Sequence, residues 1–544
     1  MRSCRRLPLL CLLVSIFVFG QQIPAPTPAD LSRPSTPPAD NNQSLADVAR
    51  KLRSNKPARV QMSQEDAKEL FRKVDETFTF ASLDTGFPKR ANIKRQLIGQ
   101  ADVEKFTRDR MAKMQMPGRF ERAELTMKKF GLLPRDFNLS EFLVKSSAQE
   151  IAGFYDEDSK SMSLLNWVPM EQQGPILAHE LTHALQDQNY DLKHWADGSF
   201  LTSGKNQGRS QAGMDEVTLV RHAVVEGQAM VVYIDYLLAP YGRNLKNTPG
   251  VLANMEEPAV RAVVDTELMH SAPMVLREMG TFPYRDGLIF EAELLNKGGK
   301  AMAFAGVFAR PPRTTHEVLQ PRSYLEHQKL PPVTIPDMNA LLAGKYEAYD
   351  SGSMGELDAR ALIEQFGERK GAPELGAEWQ GGSYAVFRKA DSAANTAPAD
   401  LALLYVSRWK TPHTAEQFAH IYAASVANRY KSATTAAAQP CTAGPCPVSS
   451  TQVNTEEGPV IVEQWPNNTV VVSESFDAAT AAELRNVALN PAQGARADGS
   501  FQEELGSRFY ELPAFRAFQL NLGNRMRQAM ETVSTASQPS FPAR

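Results

Sequence analysis

Apolar side chains recur every three to four residues over long stretches of the chain, the spacing of an amphipathic helix. After Ser63-Gln64-Glu65-Asp66, which resembles a capping box, Ala67, Leu70, Phe71 and Val74 fall on one stripe. Helical spacing continues to about Val144, so residues 45–145 are predicted to form a helical region, a support layer or prodomain. The pattern then breaks. Glu150–Asp156, a turn at Glu157-Asp158-Ser159-Lys160, and Ser161–Leu165 predict a β-hairpin. Such a hairpin either covers the core or offers an edge to an extended peptide. A helix follows over about 175–189, with Pro175 favoured in its first turn. A second helix is predicted over about 217–237, capped by Asp215. Residues 195–214 between them are rich in Gly, Ser and Gln and read as a loop. Beyond residue 238 the spacing is helical to about 310, with loop-like stretches at Thr281–Gly287 and Pro311–Glu317.

The texture changes near residue 350. Leu357–Phe366 reads as a helix, Tyr384–Phe387 and Leu401–Val406 as strands, and about 414–428 as another helix. Val460–Gln464 and Thr469–Ser473 flank the turn signal Pro466-Asn467-Asn468, and a last helix is predicted at about 477–488. Residues 350–490 therefore form a smaller α+β module, and 491–544 a partly helical tail. The chain as a whole is α+β, as two or more domains.

The N-terminus carries targeting chemistry. Arg2, Arg5 and Arg6 precede an uncharged apolar run from Leu7 to Gly20, too short to span a bilayer, with Val18-Phe19-Gly20 as a cleavage site. Residues 1–20 thus read as a signal peptide and the product as exported, periplasmic or secreted, with no stable membrane insertion. No other segment reads as a membrane helix. Residues 21–44, rich in Pro, Ala, Ser and Thr, lack the apolar surface to fold and read as a disordered linker. The processed chain keeps only Cys441 and Cys446, which an oxidising compartment would join. Basic and acidic residues nearly balance, 59 against 62, which argues against nucleic acid or an anionic membrane as the main partner.

The chemistry concentrates in His179-Glu180-Leu181-Thr182-His183. Residues i and i+4 share a helix face, so His179 and His183 can hold one metal ion, Zn²⁺ by ligand type. Glu180 is placed to take a proton from water, a role that a purely structural metal site would not need. Ile176, Leu177, Ala178, Ala184 and Leu185 flank the motif without charge. A catalytic zinc takes three protein ligands and keeps one position open. The metzincin spacing fails, because Gln186 and Asn189 stand where glycine and histidine are required. Glu226 on the second helix is the better third ligand. His222, one turn earlier, is a supporting or core histidine, a rival ligand or an oxyanion stabiliser, and His194 is a weaker rival ligand. Asp187 is either a weak ligand, an orienting partner for His183 or a solvated helix-end residue. Tyr284 and His316 are further candidates for oxyanion stabilisation, with a structural role open for each.

Gly153-Phe154-Tyr155-Asp156, Leu177–Gln188 and Val225-Glu226-Gly227-Gln228-Ala229 together resemble a family of exported bacterial proteins similar to gluzincin-type zinc metallopeptidases. The resemblance covers about residues 60–340. It implies a mainly helical zincin-like catalytic domain over 146–340 with a small β-hairpin or sheet. It also implies zinc on His179, His183 and Glu226, Glu180 as general base, and a peptide or protein substrate. The family often carries an acidic residue where this chain has Gln228. A zinc amide hydrolase acting on cell-wall material, and a non-enzymatic binding protein with a vestigial metal site, are the alternatives.

Overall fold

The computed structural model describes residues 62–99, 101–103, 105–106, 109, 119–142, 153–168, 170–196, 214–248, 250, 252, 271–392, 396–437 and 445–490. The expected signal peptide, linker, Gly/Ser/Gln-rich loop and tail fall outside these residues, except for the loop's first two residues and its last. Helix α1, Gln64–Thr85, opens on Ser63, whose hydroxyl accepts from the Asp66 N–H, and closes on Gly86 in the left-handed region. Its buried face is Leu70, Val74, Phe78 and Ala81.

The N-terminal region is not wholly helical. Strand β1, Lys94–Ile98, pairs in parallel with β3, Ser161–Leu165, which in turn pairs antiparallel with β2, Gly153–Asp156. The resulting order is β1-β3-β2, so β2 is an edge. The Lys94-Arg95-Gln96 start of β1 is exposed, and charges on an edge strand hide the apolar alternation that would announce it. Helix α2, Arg119–Phe130, follows β1 in the chain.

Helix α3, Met170–Tyr190, carries the His-Glu-x-x-His motif and keeps Pro175 in its interior, not in its first turn. Helix α4, Met214–Leu238, starts before Asp215, which therefore lies inside the helix and does not cap it. Glu216–Tyr241 is long and apolar enough to cross a membrane by composition, contrary to expectation, but 94% of its most apolar window is buried inside the fold. It is the central helix of the core.

Helix α5, Met274–Ala301, contains Thr281–Gly287, which composition had marked as a loop. Phe282, Pro283 and Tyr284 are all buried in it. Gly287 serves contact and not turning. A Cβ there would run into the Ala223 carbonyl of α4, and one on Gly227 would run into the Gly287 backbone. The two helices thus touch backbone to backbone one residue after Glu226. Gly299, at φ 66°, breaks α5 near its end. A π-helical turn follows at Met302–Gly306 and one more turn at Val307–Ala309.

The C-terminal part is a seven-stranded antiparallel sheet of order β4-β5-β6-β10-β9-β8-β7. Its strands are β4 Tyr346–Ser353, β5 Trp379–Lys389, β6 Leu401–Trp409, β7 Ala433–Thr435, β8 Ser449–Thr455, β9 Gly458–Trp465 and β10 Thr469–Glu474. Asn467 and Asn468 adopt left-handed conformations in the turn between β9 and β10. Helices α6 (Glu356–Phe366), α7 (Pro412–Arg429) and α8 (Ala478–Leu489) accompany it, α8 capped by Asp477. Expectation missed β4, β7 and β8. The last two are polar and largely exposed, so they lack an apolar face to read.

The sheet grips α2. Thr126 donates to Asp350 at 2.7 Å, the fully buried Lys129 reaches Glu457 at 2.9 Å, and Gln365 donates to the Gly131 carbonyl at 2.6 Å. One continuous hydrophobic cluster runs from Leu70 to Val472, within the compact unit that starts at Val60.

Candidate metal centre

Helix α3 buries its motif face against α4, which places His179, His183 and Glu226 in one pocket of side chains, all buried. His179 Nε2 stands 3.1 Å from Glu226 Oε2, and His183 Nε2 stands 3.0 Å from His179 Nε2 and 3.4 Å from Glu226 Oε2. Ligand atoms at about 2.0–2.1 Å from a tetrahedral zinc lie about 3.3 Å apart, so these separations suit that ion. The donor set, two imidazoles and a carboxylate, suits it as well. Among the described residues this is the one group of three such side chains with converging ligand atoms.

The charges are coupled. Burial disfavours the His183 imidazolium, but the Glu226 carboxylate facing it more than offsets this and raises its pKa to about 9. Burial likewise pushes against Glu226 ionisation, and His183 and His179 beside it hold its carboxyl well below the usual range. A positive charge at the convergence point is therefore favoured, whether proton or metal ion.

Glu180 is buried next to the trio without joining it. Its Oε2 accepts from the Tyr155 backbone N–H of edge strand β2 at 2.9 Å. Burial raises its pKa above the ordinary carboxylate value, against the pull of both histidines and that N–H.

The other candidates separate. His222 sits with Nε2 3.8 Å from Glu226 Oε1, on the oxygen turned away from His179 and His183. Tyr284 is buried with its ring nearly parallel to that of His179, 6.4 Å between centroids. Asp187 does not orient His183. Its carboxylate accepts from the Tyr155 hydroxyl at 2.7 Å and from Lys160 at 2.7 and 2.8 Å, both from the hairpin. The group on His183 Nδ1 is Gln186, at 2.9 Å. Its position three residues on is the signal in the sequence that could have found it. His194 is exposed and pairs with Asp191. His316 belongs to another buried cluster: its Nδ1 lies 2.6 Å from Glu356 Oε2, whose other oxygen meets Arg360 and Gln320. The stretch Pro311–Glu317 places it there because Thr314 caps a short helix, Thr315–Leu319, that packs on α6. Cys446 is disulfide-bonded, and Cys441 lies outside the described residues.

Residues 344–488 match a family model described as a domain of unknown function (DUF8575). The match coincides with the seven-stranded sheet and its helices and leaves α3 and α4 outside. No curated protein and no solved structure matches the chain.

Proposed function

We propose that the protein is an exported zinc-dependent metallopeptidase, of gluzincin type, with a zincin-like arrangement of its helical part. The observation that carries this reading is a buried carboxylate, Glu180, that stands beside three convergent metal donors and is tied to an edge strand. His179, His183 and Glu226 would hold the ion. A zinc ion supplies Lewis acidity there, polarising a carbonyl and bringing water's deprotonation toward neutral pH. Glu180 takes the proton from the attacking water and passes it to the leaving amine. The Tyr155 N–H holds the carboxylate in place during that exchange.

Strand β2 favours a peptide over other amides. It is an edge of the small sheet among the described residues, and its Tyr155 N–H already points to Glu180. An extended chain laid along this edge would pass the general base, with main-chain hydrogen bonds setting its register. Export rests on the basic and apolar N-terminal run.

The test is cleavage of an unbiased peptide mixture by the full chain, with Glu180→Gln beside it. Cuts are expected from the parent alone, with turnover reduced about 10²–10⁴-fold in the variant. Equal cutting by both would remove Glu180 from the chemistry, and cutting of cell-wall amides in place of peptides would change the substrate class.

A further inference from the structure

We infer that Gln186 and Gln228 are positioning residues. They form an amide relay that fixes the tautomer of His183 from the carbonyls of the π-helical turn at Met302–Gly306. This rests on His183 being a metal ligand, as proposed above, and concerns how that ligand is prepared.

The direction of each hydrogen bond follows from the far end. In the π-helical turn the Val307 N–H bonds to the Met302 carbonyl, five residues back. That wider spacing leaves neighbouring carbonyls for other donors, and such turns recur at functional sites. Gln228 sits opposite, two residues after Glu226 on α4. One of its amide ends lies 2.8 Å from the Ala303 carbonyl and 3.1 Å from that of Phe304. Carbonyls only accept, so this end must be the NH₂ group. The Gln228 oxygen therefore faces Gln186, and accepts from the Gln186 NH₂ group at 2.9 Å. The same NH₂ group donates to the Val225 carbonyl at 3.0 Å, a second contact that permits one assignment only. The Gln186 oxygen is thus left for His183 Nδ1 at 2.9 Å, and must accept. Nδ1 then carries a proton, and the lone pair of the neutral ring is on Nε2, the atom that faces His179 and Glu226.

All three side chains are buried, so water cannot substitute for a missing partner. An imidazole with a free choice of tautomer would present its lone pair at Nε2 only part of the time. An acceptor held on Nδ1 removes that choice and raises the basicity of the other nitrogen. In metal centres a carboxylate often plays this part. Here the acceptor is a neutral amide, and its own orientation is set two links away by backbone. The arrangement explains why an uncharged Gln228 is compatible with a working centre: its NH₂ group is needed against two carbonyls, where a carboxylate would be repelled.

The test is zinc affinity of the full chain by competition with a chromophoric chelator, for the parent, Q186M, Q228M and the double variant. Methionine keeps the volume and loses the hydrogen bonds. Q186M should weaken zinc binding about 10–100-fold, as loss of an orienting partner does in other sites. Q228M should weaken it less, and should add nothing in the Q186M background, because Gln228 acts through Gln186. Q186E keeps an acceptor for Nδ1 but loses the donor that faces the Val225 carbonyl and the Gln228 oxygen, so it should bind zinc more tightly than Q186M and less tightly than the parent. Affinity unchanged in Q186M, or a Q228M effect of equal size in both backgrounds, would overturn the relay. If Q228M fails to fold, as circular dichroism would show, the ratio between Q186E and Q186M decides alone. A parent chain that binds no zinc would instead remove the metal centre, and the relay with it.

Discussion

The candidate metal centre and the buried polar network under the C-terminal sheet answer the same problem in opposite ways. Glu474 is fully buried at the end of β10, and every demand on it is met by permanent groups. Arg429 donates to both oxygens at 2.6 and 2.7 Å, Tyr422 to one at 2.9 Å and Tyr430 to the other at 2.7 Å. Burial alone would raise its pKa; Arg429 and Lys129 beside it hold it below the ordinary value. The guanidinium does not lose its proton, so this network is closed at any pH the protein meets. At the candidate metal centre, two imidazole nitrogens and a carboxylate oxygen converge within ligand distance of one point, a set that a removable cation would complete. A buried cluster that is complete by itself is architecture. One that is completed by something exchangeable is a candidate for chemistry.

Breaking the closed network should have the largest effect on folding. Arg429→Met leaves Glu474 buried without the guanidinium that binds both its oxygens, and should cost about 3–5 kcal/mol in urea unfolding. Zinc uptake by the folded fraction should not change. If the variant unfolds normally but loses zinc, the two regions are not independent in the way described.

A substitution at the contact between α4 and α5 should touch both properties. Gly287→Ala forces a methyl against the Ala223 carbonyl and pushes α5 away from the helix that carries Glu226. A loss of about 1–3 kcal/mol is expected from such overpacking, together with weaker zinc binding. A stable variant with unaltered zinc affinity would show that this contact does not place Glu226.

The subtlest difference is in pH dependence. In zinc-free protein the pKa of His183 is raised to about 9 by Glu226, above the 6.5 of a free imidazole. Its contribution to stability is complete below about pH 6.5 and is lost as the pH rises through about 9. Zinc-free protein should therefore unfold at lower urea concentration near pH 9.5 than near pH 6, and Glu226→Gln should flatten that slope. Zinc competes with the same proton, so uptake should tighten over this range and release protons. The Arg429 pair contributes nothing to either trend.

Much of this was legible in the sequence, and the gaps have physical causes. The hairpin at Gly153–Leu165, the motif helix, helices α6 to α8 and strands β5, β6, β9 and β10 announced themselves through periodicity and through turn residues such as Pro466-Asn467-Asn468. The convergence of Glu226 with the two histidines was expected from its place on an apolar helix, and the structure brings the three together. Strand β1 was hidden by the charges of an edge. Thr281–Gly287 looked like a loop because Gly287 answers to Ala223 on another helix, a contact local sequence does not express. Asp187 and Gln186 both lie near His183 in sequence. The choice between them is made by Tyr155 and Lys160 on the hairpin, which claim Asp187 and leave Gln186 to the histidine.

The central claim is that His179, His183 and Glu226 hold one metal ion and Glu180 does not. Metal content after zinc loading and removal of excess, in the parent, Glu180→Gln, His183→Ala and Glu226→Ala, tests it most directly. One zinc per chain in the first two and little or none in the last two is the predicted result. Full zinc content in His183→Ala or Glu226→Ala, or none in the parent, would contradict it.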